Sequence, residues 1–201
     1  MAMFHSNTHR VIEDWNARRG DRPAPARADI SPAAYRELLP QVFMLGSEAA
    51  GGEGGETEVF RLAGGLLADL HARDLRGVDF YALWMAGDRD AVRAALDQAR
   101  RDGAPVVLEA SGWTAEGDQA KLEIVLAPLI GPTGELDRVL GLYQPTSSLR
   151  RLMGRPFTAL TLGGCKAADQ DFHIPQPMQP QPTPRDRSHL RLVAVGGSRV
   201  D

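Results

Sequence analysis

Five groups of residues have types that could do chemistry. Asp69, His71 and Asp74 set two carboxylates and an imidazole close together. At helical spacing His71 and Asp74 share a face, whereas Asp69 and His71 lie about 200° apart, so the three cannot converge on one metal. A polar helix end at the surface is the expected role. Asp169, Asp171 and His173 alternate, which places all three on one side of an extended chain. No scaffold around them would hold ligands in place, so a solvated linker is expected there. Cys165 is the single cysteine, which excludes an internal disulfide and a CxxC zinc or redox motif. Ser111 has no Gly-x-Ser-x-Gly elbow and no base near it in sequence. Gly51-Gly52-Glu53-Gly54-Gly55 lacks the Lys-Ser/Thr ending and the following helix of a phosphate-binding loop, so it reads as a turn. No catalytic residue, metal ligand or cofactor is assigned, and an enzyme is the lowest-ranked reading.

A second set of residues could recognise something. Phe60, Arg61, Leu62, Phe80, Trp84, Trp113, Ile124 and Tyr143 are the candidate pocket residues. Plain packing and a pocket wall want the same residue types, and packing is the first expectation. Arg61 sits between apolar neighbours. It would point outward, to a carboxylate across the sheet, or to an anionic ligand. Val11, Ile12 and Trp15 form one stripe of a helix read over His9–Arg19. An isolated helix of that length is marginal in water, so the stripe must be buried, on its own sheet or on a second copy. Tryptophan is enriched at interface centres, and a homodimer burying this stripe partly against the partner is the expectation.

The elements that must position these residues follow from composition and pattern. The chain has 201 residues, 43% hydrophobic and 24% charged, with net charge -3. This suits one globular domain with appendages, and the charge makes nucleic acid a poor default partner. No run reaches the roughly 18 apolar residues of a membrane span, and Met1 to Asn7 lacks signal-peptide character, so a cytoplasmic location is expected. A helix capped by Ser31 with Pro32 in its first turn would end at Pro40. Strands are expected over Val42–Leu45 and Thr57–Leu62, the latter with Phe60 and Leu62 on one face and Val59 and Arg61 on the other. A helical stretch (Gly64–Arg76), a short helix or turn (Phe80–Met85) and an amphipathic helix (Asp88–Arg101) follow. Three strands come next, at Val106–Trp113, Lys121–Leu129 and Arg138–Tyr143, joined by short turns that suit a meander. Phe157–Leu162 is a further possible strand. Prolines 175, 177, 180, 182 and 184 mark an extended linker, and Leu190–Val195 is a last apolar run that would dock as an edge strand or stay unused. The expected fold is α+β, a five-stranded antiparallel sheet with helices on one face, plus an N-terminal helix and a C-terminal tail. The expected divisions are 1–31, 32–148 and 149–201.

That order of elements resembles a PAS domain. Several segments are similar to successive signatures of a bacterial family of small stand-alone PAS-type proteins. They are Arg27-Ala28-Asp29-Ile30-Ser31-Pro32, Leu38-Leu39-Pro40-Gln41-Val42-Phe43, Phe60-Arg61-Leu62-Ala63-Gly64, Arg73-Asp74-Leu75-Arg76-Gly77 and Ala127-Pro128-Leu129. Trp15 followed by Arg19-Gly20 suits that family's first helix. Gly65 departs from it, standing where threonine is expected. The resemblance spans Trp15 to Tyr143. It implies a non-catalytic signalling protein of a two-component system, acting on a sensor histidine kinase or another regulator. The alternative is a sensor whose pocket binds a metabolite. A haem in such a fold would need an axial histidine; His71 is the one histidine of the core region, and that role is not expected of it. A cysteine-adduct flavin site would need a pocket cysteine, and Cys165 is expected beyond the last core strand, so no such site is expected.

Overall fold

The computed structural model describes residues 4–49 and 56–168. The Gly51–Gly55 turn, the Asp169, Asp171 and His173 group, the proline-rich stretch and the Leu190–Val195 run lie outside the described residues.

Alternating apolar side chains build a six-stranded, wholly antiparallel sheet. Its strands are β1 (Val42–Ala49), β2 (Glu56–Ala63), β3 (Val106–Trp113), β4 (Gln119–Leu129), β5 (Arg138–Pro145) and β6 (Ala159–Ala167). The spatial order is β2-β1-β5-β4-β3-β6. The five expected strands are present, each longer than or equal to its sequence reading. The sixth begins two residues after Phe157 and pairs along the whole of β3, from Trp113 opposite Ala159 to Val106 opposite Ala167.

The central strands are buried on both faces. Leu122, Ile124 and Leu126 of β4 join one apolar cluster, while Val125, Ala127 and Leu129 join another on the opposite side. The first face is covered by α2 (Gly65–His71) and α3 (Arg89–Asp102), the second by α1 (Ser6–Arg19) and the connector after it. Helix α3 buries Val92, Ala95, Leu96 and Ala99, an i, i+3, i+4, i+7 stripe, and stops at Gly103, whose φ of +57° closes the helix in the left-handed region. Asp88 is not its side-chain cap. The carboxylate instead accepts the Leu162 N–H at 3.0 Å and ties the start of α3 to β6.

Helix α1 starts three residues earlier than expected, where the His5 imidazole accepts the Asn7 N–H at 3.1 Å. Val11 and Trp15 are fully buried and Ile12 nearly so, all against the chain's own sheet. The Trp15 indole N–H donates to the Pro128 carbonyl at 2.7 Å. This corrects the expected dimer interface of Val11, Ile12 and Trp15. The stripe is spent on the outer sheet face, because β4 and β5 present an apolar surface that would otherwise face water.

The helix expected from Ser31 to Pro40 is instead two 3-10 turns, Pro32–Tyr35 and Leu39–Gln41, and Ser31 makes no capping bond. Prolines at both ends leave too short a run for a cooperative α-helix. The turns bring Tyr35 and Leu38 under α1, where the Tyr35 hydroxyl donates to Asp14 at 2.5 Å and Arg18 pairs with the same carboxylate at 2.7 Å.

Candidate functional site

The space between the sheet and helices α2 and α3 is where a ligand would be enclosed. Aromatic rings occupy it. Phe43 and Phe60 lie 5.5 Å apart by ring centroids, Phe60 and Phe80 5.8 Å, and Phe43 and Phe80 6.0 Å. Trp84 extends the cluster at 6.0 Å from Phe80, and Tyr81 sits 5.7 Å from Phe80. Phe43 packs on Gly141, and a Cβ at that position would come within 2.0–2.4 Å of three of its ring carbons. Ile124 and Tyr143 face each other across β4 and β5 and belong to the same cluster.

Five of the eight expected pocket residues are thus brought together: Phe60, Phe80, Trp84, Ile124 and Tyr143. The other three are not. Arg61 is exposed and pairs with Glu48 at 2.6 Å on the neighbouring strand, and Leu62 is 49% exposed. The cause is a bulge in the β1–β2 ladder: Met44 opposes Leu62 and Leu45 opposes Phe60, so Arg61 has no partner. One extra residue reverses the alternation, and Leu62 leaves the face that Phe60 occupies. Trp113 is half-buried at the β3–β6 pair, where its indole N–H donates to the Thr161 hydroxyl at 2.9 Å.

Two polar constellations lie within this region, and neither was legible as such. The first is His71, the last residue of α2. It is buried, not at the surface as expected, with Nε2 3.1 Å from the Tyr143 hydroxyl and the Phe157 ring 5.8 Å away edge-on. Burial, with the Arg73 charge adding to it, pushes the imidazole down to about 4. Burial also pushes the Tyr143 phenol up. Both groups are therefore neutral at pH 7 and share one hydrogen bond in an apolar setting. Asp69 is exposed and Asp74 accepts the Arg76 N–H at 2.9 Å, so neither joins His71. Among the described residues no group of three His, Cys, Asp or Glu side chains could hold a metal ion.

The buried imidazole gives a pH prediction. The unfolded chain takes up this proton below about 6.5, whereas the folded chain refuses it until about 4. Stability is therefore complete above the unfolded value and is lost as pH falls through that window. Urea denaturation should show a loss of roughly 2 kcal/mol between pH 7 and pH 5 from this residue. His71→Leu should remove that part of the slope. An unchanged slope in the variant would mean that the imidazole is not held neutral.

The second constellation is an ion pair under the first helical face. Arg100 of α3 contacts Glu58 of β2 at 2.7 Å, and Ser47 of β1 bridges them, 2.9 Å from the carboxylate and 3.1 Å from the guanidinium. The Glu58 side chain is 3% exposed. Its Oε2 and the Arg100 Nε have no hydrogen-bond partner. The group clamps α3 onto the β1–β2 hairpin.

Cys165 was placed beyond the last strand, but it lies within β6, buried and opposite Leu108. Burial pushes its thiol up to about 11, away from thiolate reactivity. Ser111 is buried in β3, and its backbone carbonyl faces the Thr161 hydroxyl at 3.5 Å. No helix among the described residues is long and apolar enough to cross a membrane.

Comparison with known proteins gives one family and a set of distant structures. The family described as "PAS domain" matches residues 3–144. A search of curated proteins finds none that matches. Among solved structures, a variant of RsLOV is 16% identical with a TM-score of 0.42, over 57% of this chain and 66% of that one. A light-oxygen-voltage domain studied with a flavin analogue is 13% identical with a TM-score of 0.44, over 60% and 87%. The LOV protein of Rhodobacter sphaeroides is 11% identical with a TM-score of 0.42, over 61% and 72%. At these scores none of the three carries a functional argument.

Proposed function

Because the chain belongs to the PAS domain family, we propose that it is a non-catalytic signalling regulator that acts by binding another protein, a sensor histidine kinase or a comparable regulator. The observation that supports this most is the packed interior: Phe43, Phe60, Phe80 and Trp84 fill the space between α2, α3 and the sheet with ring-to-ring contacts. A domain whose centre is filled by its own side chains communicates through its surface. A homodimer remains compatible with this reading, through a surface other than the α1 stripe.

The test is reconstitution. The purified protein is added to each purified sensor kinase of its own cell, and autophosphorylation from ATP is followed. A severalfold change in rate with one kinase, saturating as the regulator reaches equal concentration, is expected. No effect across the full set would overturn the kinase reading. A stoichiometric small molecule released on denaturation, and required for the effect, would shift the reading to a metabolite sensor.

A further inference from the structure

Away from the packed aromatic interior, the fold has a hollow. It lies where the C-terminal half of α3 crosses the end of the β3–β6 pair, and its volume is about 170 Å³. Ala95 and Ala99 form its roof, Ala104 and Val106 one wall, and Cys165 and Ala167 the floor. Small residues on three elements make the hollow, because α3 approaches the strands without any large side chain to fill the gap. Its mouth is polar. Arg101 donates to Gln98 at 2.7 Å, and Gln98 donates to Asp102 at 2.7 Å. The two rim charges oppose each other, and the six interior residues are aliphatic apart from one thiol.

We propose that this hollow is a binding site for a small, uncharged, apolar organic molecule about the size of a substituted benzene. The volume carries the size. An engineered apolar protein cavity of about 150 Å³ stays dry and binds benzene. The lining carries the polarity: a buried polar group on the ligand would find no hydrogen-bonding side chain among the six interior residues other than a weak thiol, which selects against it. The rim carries the charge, since Arg101 and Asp102 lie one residue apart and favour neither an anion nor a cation. The site sits against the last turns of α3, and Arg100 on that same turn clamps the helix to β2. A guest here would therefore bear on the position of α3. This inference does not depend on the protein having a kinase partner.

Toluene is the probe, added to the full-length protein carrying ¹³C-methyl alanine. Saturable shifts are expected at Ala95, Ala99, Ala104 and Ala167, with Ala120 and Ala127 unmoved. Cys165, the only thiol, reports the same event: at ten times the dissociation constant its alkylation should slow roughly tenfold, because only the empty fraction reacts. Ala99→Leu fills the hollow and should abolish both responses. If that variant fails to fold, Ala167→Leu, at a half-buried position, serves instead. Shifts scattered over the molecule, or none up to the solubility of toluene, would overturn the proposal. So would a full response in a filled variant.

Discussion

Trp15→Ala should lower stability by about 3–5 kcal/mol, the range for deleting a fully buried large aromatic. The indole is fully buried, donates to the Pro128 carbonyl at 2.7 Å, and carries the Arg19 guanidinium 5.6 Å over its ring. Truncation opens a cavity between α1 and the sheet and leaves a buried carbonyl without its donor. In thermal melts the midpoint should fall by roughly 6–20 °C for a chain of this size. Trp15→Phe keeps most of the ring volume and should recover more than half of the loss. Association state, followed by light scattering over a dilution series, should be the same in wild type and variant wherever both are folded. A variant that melts like wild type but changes its association state would restore the stripe as an interface.

Arg100→Ala should be as damaging, at about 3–5 kcal/mol, because it strands a buried carboxylate. Glu58 would keep only the Ser47 hydroxyl as a partner. The pair itself is a weak stabiliser compared with an apolar substitute, so removing both charges should cost less than removing one. The measurement is a double-mutant cycle by urea denaturation, with Arg100→Met, Glu58→Gln and the double variant. The double variant should be more stable than Arg100→Met alone. Additive losses would show that the two side chains do not depend on each other in the folded state.

Much of the architecture was legible because local pattern and fold agree. Along β4 the alternation of Leu122, Ile124 and Leu126 against Val125, Ala127 and Leu129 is strict, and α3 has an apolar stripe and a glycine stop. The reading failed where a single residue or a distant partner decides. The bulge at Arg61 leaves no mark in composition, yet it takes Leu62 off the face of Phe60 and leaves it exposed as Arg61 is. His71 was judged by its charged neighbours. The better signal was its spacing, since Leu67, Leu70 and His71 stand at i, i+3 and i+4 and are the buried residues of α2. Glu58 and Arg100 are 42 positions apart, and no short window relates them. The hollow beside α3 is lined mostly by alanines, which announce nothing, because a gap arises from what three elements together fail to supply.

The seating of α1 on β4 also orders events in time. Trp15 finds its acceptor 113 positions later in the chain. At 5–20 residues per second a ribosome needs roughly 6–20 s to make that stretch. Through this interval the helix stripe has been synthesised and its landing surface has not. Fourteen residues without tertiary support are marginally helical at best. Helix α1, made before the sheet it covers, therefore waits to be placed, and the nascent chain carries an uncovered tryptophan until the β4–β5 pair emerges.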